Sequence, residues 1–275
     1  MKKTFSLLSF FLTLIFTGNT LAQSSLAGDF GTAGSGSAVL SYTKKEYTEF
    51  WAGRAEMAAP NEGLNQSIFS LYVRYAITQK LEVVAVLPYL SNQSKDGEID
   101  EKSIQDFSFF VKGKVYEKGG FTAGLGLGTN IATGYEAKSL YSLGNGATTI
   151  DGLALLHYRT PVGLAFSAQG GMSLRSGDVP NAALFMAKMA YAHSHFYLDV
   201  SYGIQRSTDR TDIGGPGFGG PDDFPKSKVD YDQLLFTAYV PVVSHFGLTA
   251  HFGTILDGRN IGKSNYFGCG IAANL

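Results

Sequence analysis

The stretch Ser67–Tyr89, SIFSLYVRYAITQKLEVVAVLPY, holds two runs of alternating side chains joined by a turn at Thr78–Gln79. In the first run, one face is apolar and carries Phe69, Leu71, Val73, Tyr75 and Ile77, and the opposite face carries Ser70, Tyr72, Arg74 and Ala76. In the second run, the faces carry Leu81, Val83, Ala85, Leu87 and Tyr89, and Lys80, Glu82, Val84 and Val86. A period of two residues predicts strands, and the short connection predicts a hairpin.

The same unit recurs along the rest of the chain. The alternation predicts strands near residues 66–77, 80–91, 104–116, 120–133, 147–158, 163–175, 182–193, 195–206, 231–242, 246–257 and 264–275. Short and long connections alternate, as periplasmic turns and extracellular loops do in outer-membrane barrels. Residues 38–57 are either one long bulged strand or a short element plus a strand. If they contribute one barrel strand, the total is an even twelve and both chain ends are periplasmic.

These patterns predict an all-β fold, a transmembrane antiparallel up-and-down β-barrel of about 12 strands. A soluble β-sandwich or a lipocalin-like barrel is disfavoured, because in strand after strand one face is rich in Leu, Val and Phe and the other in Gly and polar residues. Charged residues make up only 16% of the chain, below the roughly 25% of soluble domains. The net charge of −1 gives no signal for nucleic-acid binding.

The chain divides into three predicted parts. Residues 1–22 resemble a secretory signal peptide, with basic Lys2 and Lys3, an apolar run over Phe5–Phe16 and a small-residue cleavage site at Thr20–Ala22. Residues 23–37 are predicted to be a flexible periplasmic N-terminal segment, and residues 38–275 the outer-membrane barrel. The predicted location is therefore the outer membrane of a Gram-negative bacterium, where the partners would be lipid, small-molecule solutes and the outer-membrane assembly machinery.

Aromatic side chains cluster at the predicted strand ends. One set lies next to the short turns and predicts a periplasmic girdle: Tyr116, Phe121, Tyr158, Tyr191, Phe196 and Phe246. A second set is predicted to form the outer girdle: Trp51, Phe69, Tyr89 and Phe107.

The alternation places ten ionisable side chains on the lumen face. These lumen-lining candidates are Arg74, Glu82, Lys112, Lys114, Asp151, His157, Arg175, Lys188, Asp199 and His251. They could set the selectivity of a pore. Alternatively, opposite charges could pair across the lumen and hold a closed barrel together, because buried charges need partners. The two interpretations can hold together.

The remaining chemistry is sparse. His193, His195 and His245 fall at periplasmic turns. The His193 and His195 rings would lie on one face, as a metal site needs, but the sequence identifies no third ligand for them. The single cysteine, Cys269, excludes an internal disulfide and a Cys-based metal site. A lipid-facing His and Ser pair of an outer-membrane hydrolase is not apparent, because His157 and His251 are predicted to face inward. We therefore predict no catalytic residues, no metal and no cofactor.

The segment 207–230 is the longest connection. Its Gly-Gly-Pro sequences at residues 214–216 and 219–221 are expected to exclude regular structure, and it could fold into the pore or stay on the surface. Its aspartates, Asp209, Asp212, Asp222 and Asp223, lack the spacing of a calcium loop.

The hairpin also resembles a known family. The sequence Tyr75-Ala76-Ile77-Thr78-Gln79-Lys80-Leu81-Glu82-Val83, followed by Leu87-Pro88-Tyr89, is similar to a signature of the outer-membrane family labelled "putative MetA-pathway of phenol degradation". Ala76 and Gln79 stand where the family usually has Gly and Asp, and Tyr239-Val240-Pro241 also fits. The resemblance covers about fifteen residues closely and is architectural elsewhere. It implies a secreted barrel that passes small, often hydrophobic or aromatic compounds.

The leading hypothesis is thus an outer-membrane channel for passive uptake or efflux of small molecules. The alternatives are a structural or adhesive barrel with a plugged lumen, and an outer-membrane hydrolase.

Overall fold

The computed structural model of the protein describes residues 28–137, 141–208 and 210–275. The predicted signal peptide, residues 1–22, lies outside the described residues, as do residues 23–27 and Asp209. Within the described part of the chain, no helix is both long enough and apolar enough to cross a membrane.

Twelve antiparallel strands form a closed barrel, as the sequence predicts. They are β1 (Gly36–Tyr47), β4 (Leu64–Ala76), β5 (Leu81–Ser94), β7 (Phe107–Lys118), β8 (Phe121–Ile131), β9 (Thr149–Arg159), β10 (Leu164–Arg175), β11 (Ala182–Ala192), β12 (Tyr197–Ser207), β13 (Asp230–Val243), β14 (Phe246–Arg259) and β16 (Asn265–Asn274). Strand β1 pairs with β16, from Ser37 opposite Asn274 to Glu46 opposite Asn265, and this pairing closes the barrel.

The predicted hairpin is β4–β5, paired from Ala76 opposite Glu82 to Leu64 opposite Ser94. Its turn is set by Thr78, whose side-chain oxygen accepts hydrogen bonds from the backbone N–H groups of Lys80 (3.1 Å) and Leu81 (3.0 Å). A threonine that satisfies two backbone donors is a local turn determinant. The turn of this hairpin therefore needs no distant partner.

Residues 38–57 contribute one barrel strand followed by part of a small hairpin. Strands β2 (Glu49–Ala52) and β3 (Ala55–Ala58) pair with each other, and β15 (Ile261–Gly262) joins them in a separate sheet. Trp51 is only 6% exposed within this small sheet, so its assignment to the outer aromatic girdle was wrong. The reason is that the chain leaves the barrel at Tyr47 and folds back over the long-loop end.

The fourth barrel strand is interrupted by a bulge. Strand β6 (Asp100–Ile104) continues β7, but the pairing with β5 shifts by one residue between Tyr89 opposite Ile104 and Val86 opposite Ser108. Gln105 and Asp106 lie in the shift, and the Gln105 N–H still donates to the Pro88 carbonyl at 2.9 Å. A bulge of this kind redirects side chains without opening the wall.

The outer surface is apolar along the strands, as the alternation predicts. Residues exposed on it include Phe69, Leu71, Leu87, Tyr89, Leu125, Leu127, Phe166, Met189, Leu198, Phe236, Phe252, Phe267 and Ile271. The predicted girdle residues Tyr116, Tyr158, Tyr191 and Phe246 are also exposed, next to the short turns. Such a continuous belt is what a barrel presents to lipid.

Val200 provides a test of the lipid-facing assignment, because it lies on the outer face of β12 between Met189 of β11 and Phe236 of β13. We expect Val200→Arg to reduce the free energy of unfolding by about 2–4 kcal/mol, the cost of a cation at the membrane midplane. Urea titration of the folded barrel in lipid vesicles measures the loss, with Val200→Leu as the control. Equal stability of the two variants would place Val200 away from lipid.

Candidate functional site: the barrel lumen

A charged cluster lies inside the barrel near its short-turn, periplasmic end. Glu82 of β5 binds two cations with separate oxygens: Arg74 Nη2 lies 2.7 Å from Oε2, and Lys112 Nζ lies 2.7 Å from Oε1. All three side chains are at most 4% exposed. Adjacent strands bring them together, because Arg74 is on β4 and Lys112 is opposite Glu82 on β7. These three predicted lumen charges therefore pair along the wall.

The N-terminal segment, residues 28–35, completes this cluster. The Asp29 carboxylate lies 3.1 Å from Arg74 Nη1, and the Lys112 ammonium donates to the Asp29 carbonyl at 2.7 Å. The Gly31 N–H donates to Glu82 Oε2 at 2.8 Å. These residues were expected to be a loose periplasmic segment, but they lie within the lumen. The sequence of residues 23–37 does not predict this position. The segment binds through a few single contacts and therefore has no repeating pattern of apolar residues.

Phe30 adds an aromatic contact to the same segment. The Lys112 and Lys114 ammonium groups lie 4.7 and 5.5 Å from the centre of its ring. The ring also packs on β8, where a Cβ built on Gly124 would lie 2.9 Å from Phe30 Cζ. Both distances to the cations are within the range of cation–π attraction. The segment is thus held by charge, hydrogen bonds and one half-buried ring.

An apolar layer lies next to the charged cluster. Its members face the lumen and are at most 5% exposed: Val84, Phe110, Leu153, Leu155, Ala182 and Leu184. Val84 is opposite Phe110, one inward position along from Glu82 opposite Lys112. The sequence analysis assigned a polar character to the inner face, and this layer corrects it. Hydrophobic side chains are tolerated there because they pack on one another rather than against water.

Glycine makes room for this layer. Phe110 is opposite Gly128 across the β7–β8 pair, and a Cβ on Gly128 would lie 2.0 Å from Phe110 Cδ1. A ring of this size can lie flat on the wall only where the neighbouring strand has no side chain. The inward glycines of β8 are therefore packing partners for the rings of Phe110 and Phe30.

A chamber of about 690 Å³ lies between the charged cluster and the short turns. Its lining includes Arg74, Lys114, His157, Tyr197 and Tyr239. Residues of the periplasmic turns and the last residue of the chain surround the rest of it. The chamber has the size of a site for a small organic molecule.

The other lumen candidates lie on the inner wall in separate pairs. Asp151 accepts from Asn130 Nδ2 at 2.7 Å, and Arg175 donates to Gln205 at 3.0 Å. The remaining contacts are His157 Nδ1 with Ser167 Oγ at 2.8 Å, His251 Nε2 with Thr43 Oγ1 at 2.9 Å, Lys114 with Glu117 at 3.0 Å, and an electrostatic attraction between Lys188 and Asp199. Of the ten candidates, Arg74, Glu82 and Lys112 form one connected network of ion pairs.

At the extracellular end, the described residues of the loop 132–148, which are 132–137 and 141–148, fold into the barrel. Its Leu143, 4% exposed, packs against the inward residues Ile68 and Leu90. The Gln105 and Asp106 side chains at the bulge hold this loop, the first by donating to the Leu143 carbonyl at 2.6 Å and the second by accepting from the Tyr135 hydroxyl at 2.6 Å. The sequence analysis did not single out this loop, although its Tyr and Leu residues are unusual for a solvent-exposed connection.

Residues 210–230 of the longest connection form a cap above that loop. The Arg259 guanidinium binds Asp212 through two nitrogens at 2.5 and 2.6 Å, and Asn260 donates to Asp212 at 3.0 Å. Ile213 packs against a cluster that includes Phe50 and Tyr141. Contrary to expectation, the segment contains regular structure, a 3-10 helix over Pro221–Lys226, because the sequence after Gly220 begins with a proline suited to the first turn.

The aspartates of this segment do not converge on one site. Asp212 pairs with Arg259, whereas Asp223 accepts from the Gly219 N–H at 2.7 Å and from Lys226 at 3.0 Å. Asp209 lies outside the described residues. Among the residues that the structure does describe, no group of three or more His, Cys, Asp and Glu side chains could hold a metal ion.

Asp212 is expected to hold residues 210–230 in place, and we call its contacts with Arg259 and Asn260 the latch. The hydrogen bonds from Arg259 hold its pKa below the ordinary value, so the latch is complete above the unfolded-state pKa of about 3.9 and is lost as the pH falls below it. We expect Asp212→Asn to accelerate trypsin cleavage after Arg210 in the folded protein. Asp222→Asn, on the exposed side of the same segment, is the control, and equal cleavage of the two variants would contradict the latch.

The histidines lie where the sequence places them. His193 and His195 stack at a periplasmic turn with ring centres 5.3 Å apart. His157 and Ser167 lie on neighbouring strands, but both face the lumen rather than lipid. The arrangement expected of a lipid-facing hydrolase pair is therefore not formed by these two residues.

Comparison with known proteins gives similarity in structure only. No family model and no curated protein sequence matches the chain. The crystal structure of an outer-membrane channel from Pseudomonas putida F1 matches with a TM-score of 0.68 and 14% identity, over 95% of this chain and 100% of that one. The NanC porin matches with a TM-score of 0.54 and 9% identity, over 86% of this chain and 100% of that one.

A third match is the translocator domain of the autotransporter NalP from Neisseria meningitidis, with a TM-score of 0.51 and 12% identity over 89% of this chain and 90% of that one. At these identities the likeness concerns the fold. Together with the apolar outer belt, the fold is that of a bacterial outer-membrane β-barrel.

Proposed function

We propose that the protein is a passive outer-membrane channel for small molecules, including hydrophobic or aromatic ones, and that the described conformation is its closed state. The observation that carries this proposal is which parts of the chain lie inside the barrel. Two segments that are not wall strands lie in the lumen, residues 28–35 towards the short turns and the described residues of the loop 132–148 towards the long loops. Such segments can leave while the strand pairing of the wall stays intact.

Three further features support this reading. A twelve-stranded barrel encloses more space than a packed eight-stranded one and less than an open porin. The chamber of about 690 Å³ offers a place for a small solute at the periplasmic end. The apolar layer beside Phe110 would favour molecules with an apolar body, which agrees with the family that the hairpin resembles. Lipid would contact the outer belt, and the assembly machinery of the outer membrane would insert the chain.

The experiment is a permeation assay in liposomes with a panel of neutral solutes of increasing size. It compares the full chain with a variant that lacks residues 28–34, which keeps the Ser35 carbonyl that accepts from the Ala76 N–H. We expect the shortened chain to pass small solutes faster than the full chain, because its lumen has lost the contacts at Glu82 and Lys112.

The matched control replaces residues 28–34 with a Gly/Ser segment of the same length. This control should also pass small solutes, because it keeps the length of the segment but removes its contacts with Glu82 and Lys112. If both variants fold, as judged by the heat-dependent shift in electrophoretic mobility, but neither permeates, the protein is a plugged structural barrel instead.

A further inference from the structure

We propose that Arg74 and Lys112 form a binding station for the carboxylate of a small apolar acid, and that Asp29 occupies this station in the closed state. The inference rests on the proposed channel function and adds the class of solute. It starts from the fact that the blocking segment binds the wall through a carboxylate. The Asp29 side chain and backbone together satisfy both cations, at 3.1 Å from Arg74 and 2.7 Å from Lys112.

The station is left with excess positive charge when the segment leaves. Glu82 contacts both cations, so two cations then share one wall carboxylate. A buried cation without a full partner is costly, and an anion that replaces Asp29 removes that cost. A solute carboxylate can make the same charge-assisted hydrogen bonds to a guanidinium and an ammonium group.

The wall around the station has the same bias. Besides Arg74 and Lys112, Lys188 also lies close enough to attract the Asp29 carboxylate, whereas Glu82 is the wall carboxylate that forms ion pairs with the two station cations. Lys45 is 6% exposed and makes no hydrogen bond or ion pair with the described residues. An excess of one sign of charge in a narrow lumen selects solutes of the opposite sign.

The position of the apolar layer indicates that the part of the solute beyond its carboxylate is apolar. Val84 and Phe110 lie one inward position along their strands from Glu82 and Lys112, a step of about 7 Å. A carboxylate at the station therefore has an apolar surface within reach of a short hydrocarbon body. The blocking segment has the same chemistry, because Asp29 is followed directly by Phe30.

The first test is the reversal potential of the unaltered chain and of the chain lacking residues 28–34, in planar bilayers under a potassium chloride gradient. We expect open channels of both proteins to favour chloride. Lys112→Met in the shortened chain should lower the ratio of chloride to potassium permeability about fivefold, the factor for losing one unit charge at contact distance in water. A preference for potassium, or none, would overturn the proposal while leaving the channel function intact. Absence of current from both proteins would overturn both.

The second test compares butyrate with its neutral analogue butyramide on the unaltered chain. Butyrate competes with Asp29, so it should increase the frequency of openings, and butyramide should not. In Asp29→Asn the basal opening frequency should rise and butyrate should no longer increase it. Equal effects of butyrate and butyramide would overturn the proposal, and this comparison needs no variant if Lys112→Met fails to fold.

Discussion

Phe110→Ala is expected to lower the free energy of unfolding by about 3–5 kcal/mol, the usual cost of removing a large buried aromatic side chain. Phe110 has no exposed surface and lies in the lumen among Val84, Leu153 and Leu155. Its ring rests on Gly128, so no side chain from β8 can fill the space that the substitution leaves. Urea titration of the folded barrel in lipid vesicles measures the loss.

Two controls separate packing in the lumen from a general loss of apolar surface. Phe109→Ala removes a ring from the outer face, where the side chain is 39% exposed and lipid replaces its contacts, so the loss should be much smaller. Gly128→Ala should destabilise the native chain by about 1–3 kcal/mol through overpacking, but much less in the Phe110→Ala background. Additive losses in the double variant would show that Phe110 and Gly128 do not pack together.

The barrel itself could be predicted from sequence because its signal is local and repeated. The alternation in Ser67–Tyr89 recurs in strand after strand, and a period of two depends only on which face each residue occupies. Even the ambiguous residues 38–57 were constrained, because a barrel with both ends periplasmic needs an even number of strands. The inward position of Arg74, Glu82 and Lys112 followed from the same alternation.

The contents of the lumen could not be predicted in this way. Face alternation does not reveal that Phe110 meets Gly128 across a strand pair, since that contact depends on register. It also assigns nothing to segments without a period, and both segments that lie inside the barrel, residues 28–35 and the described part of the loop 132–148, are of that kind. Their few anchoring contacts, such as Asp29 with Arg74, join residues far apart in the chain.

Glu82→Leu should lower the free energy of unfolding as much as Phe110→Ala does. The cause is an unpaired buried charge rather than a cavity. Glu82 is 1% exposed and accepts hydrogen bonds from Arg74, Lys112 and the Gly31 N–H. Removing one partner of a buried ion pair leaves an uncompensated charge, and this typically costs about 3–5 kcal/mol. The control is Glu117→Gln, whose carboxylate is 60% exposed beside Lys114, with an expected effect of about 0–1 kcal/mol.

A double variant shows whether charge is the cause. Adding Lys112→Met to Glu82→Leu removes one of the two cations left without Glu82 and supplies apolar volume beside Val84 and Phe110, so part of the lost stability should return. The same variant should also favour escape of the N-terminal segment, because Gly31 and Asp29 each lose a contact. If the double variant is less stable than Glu82→Leu alone, the network stabilises the barrel through the shape of its side chains rather than through their charge.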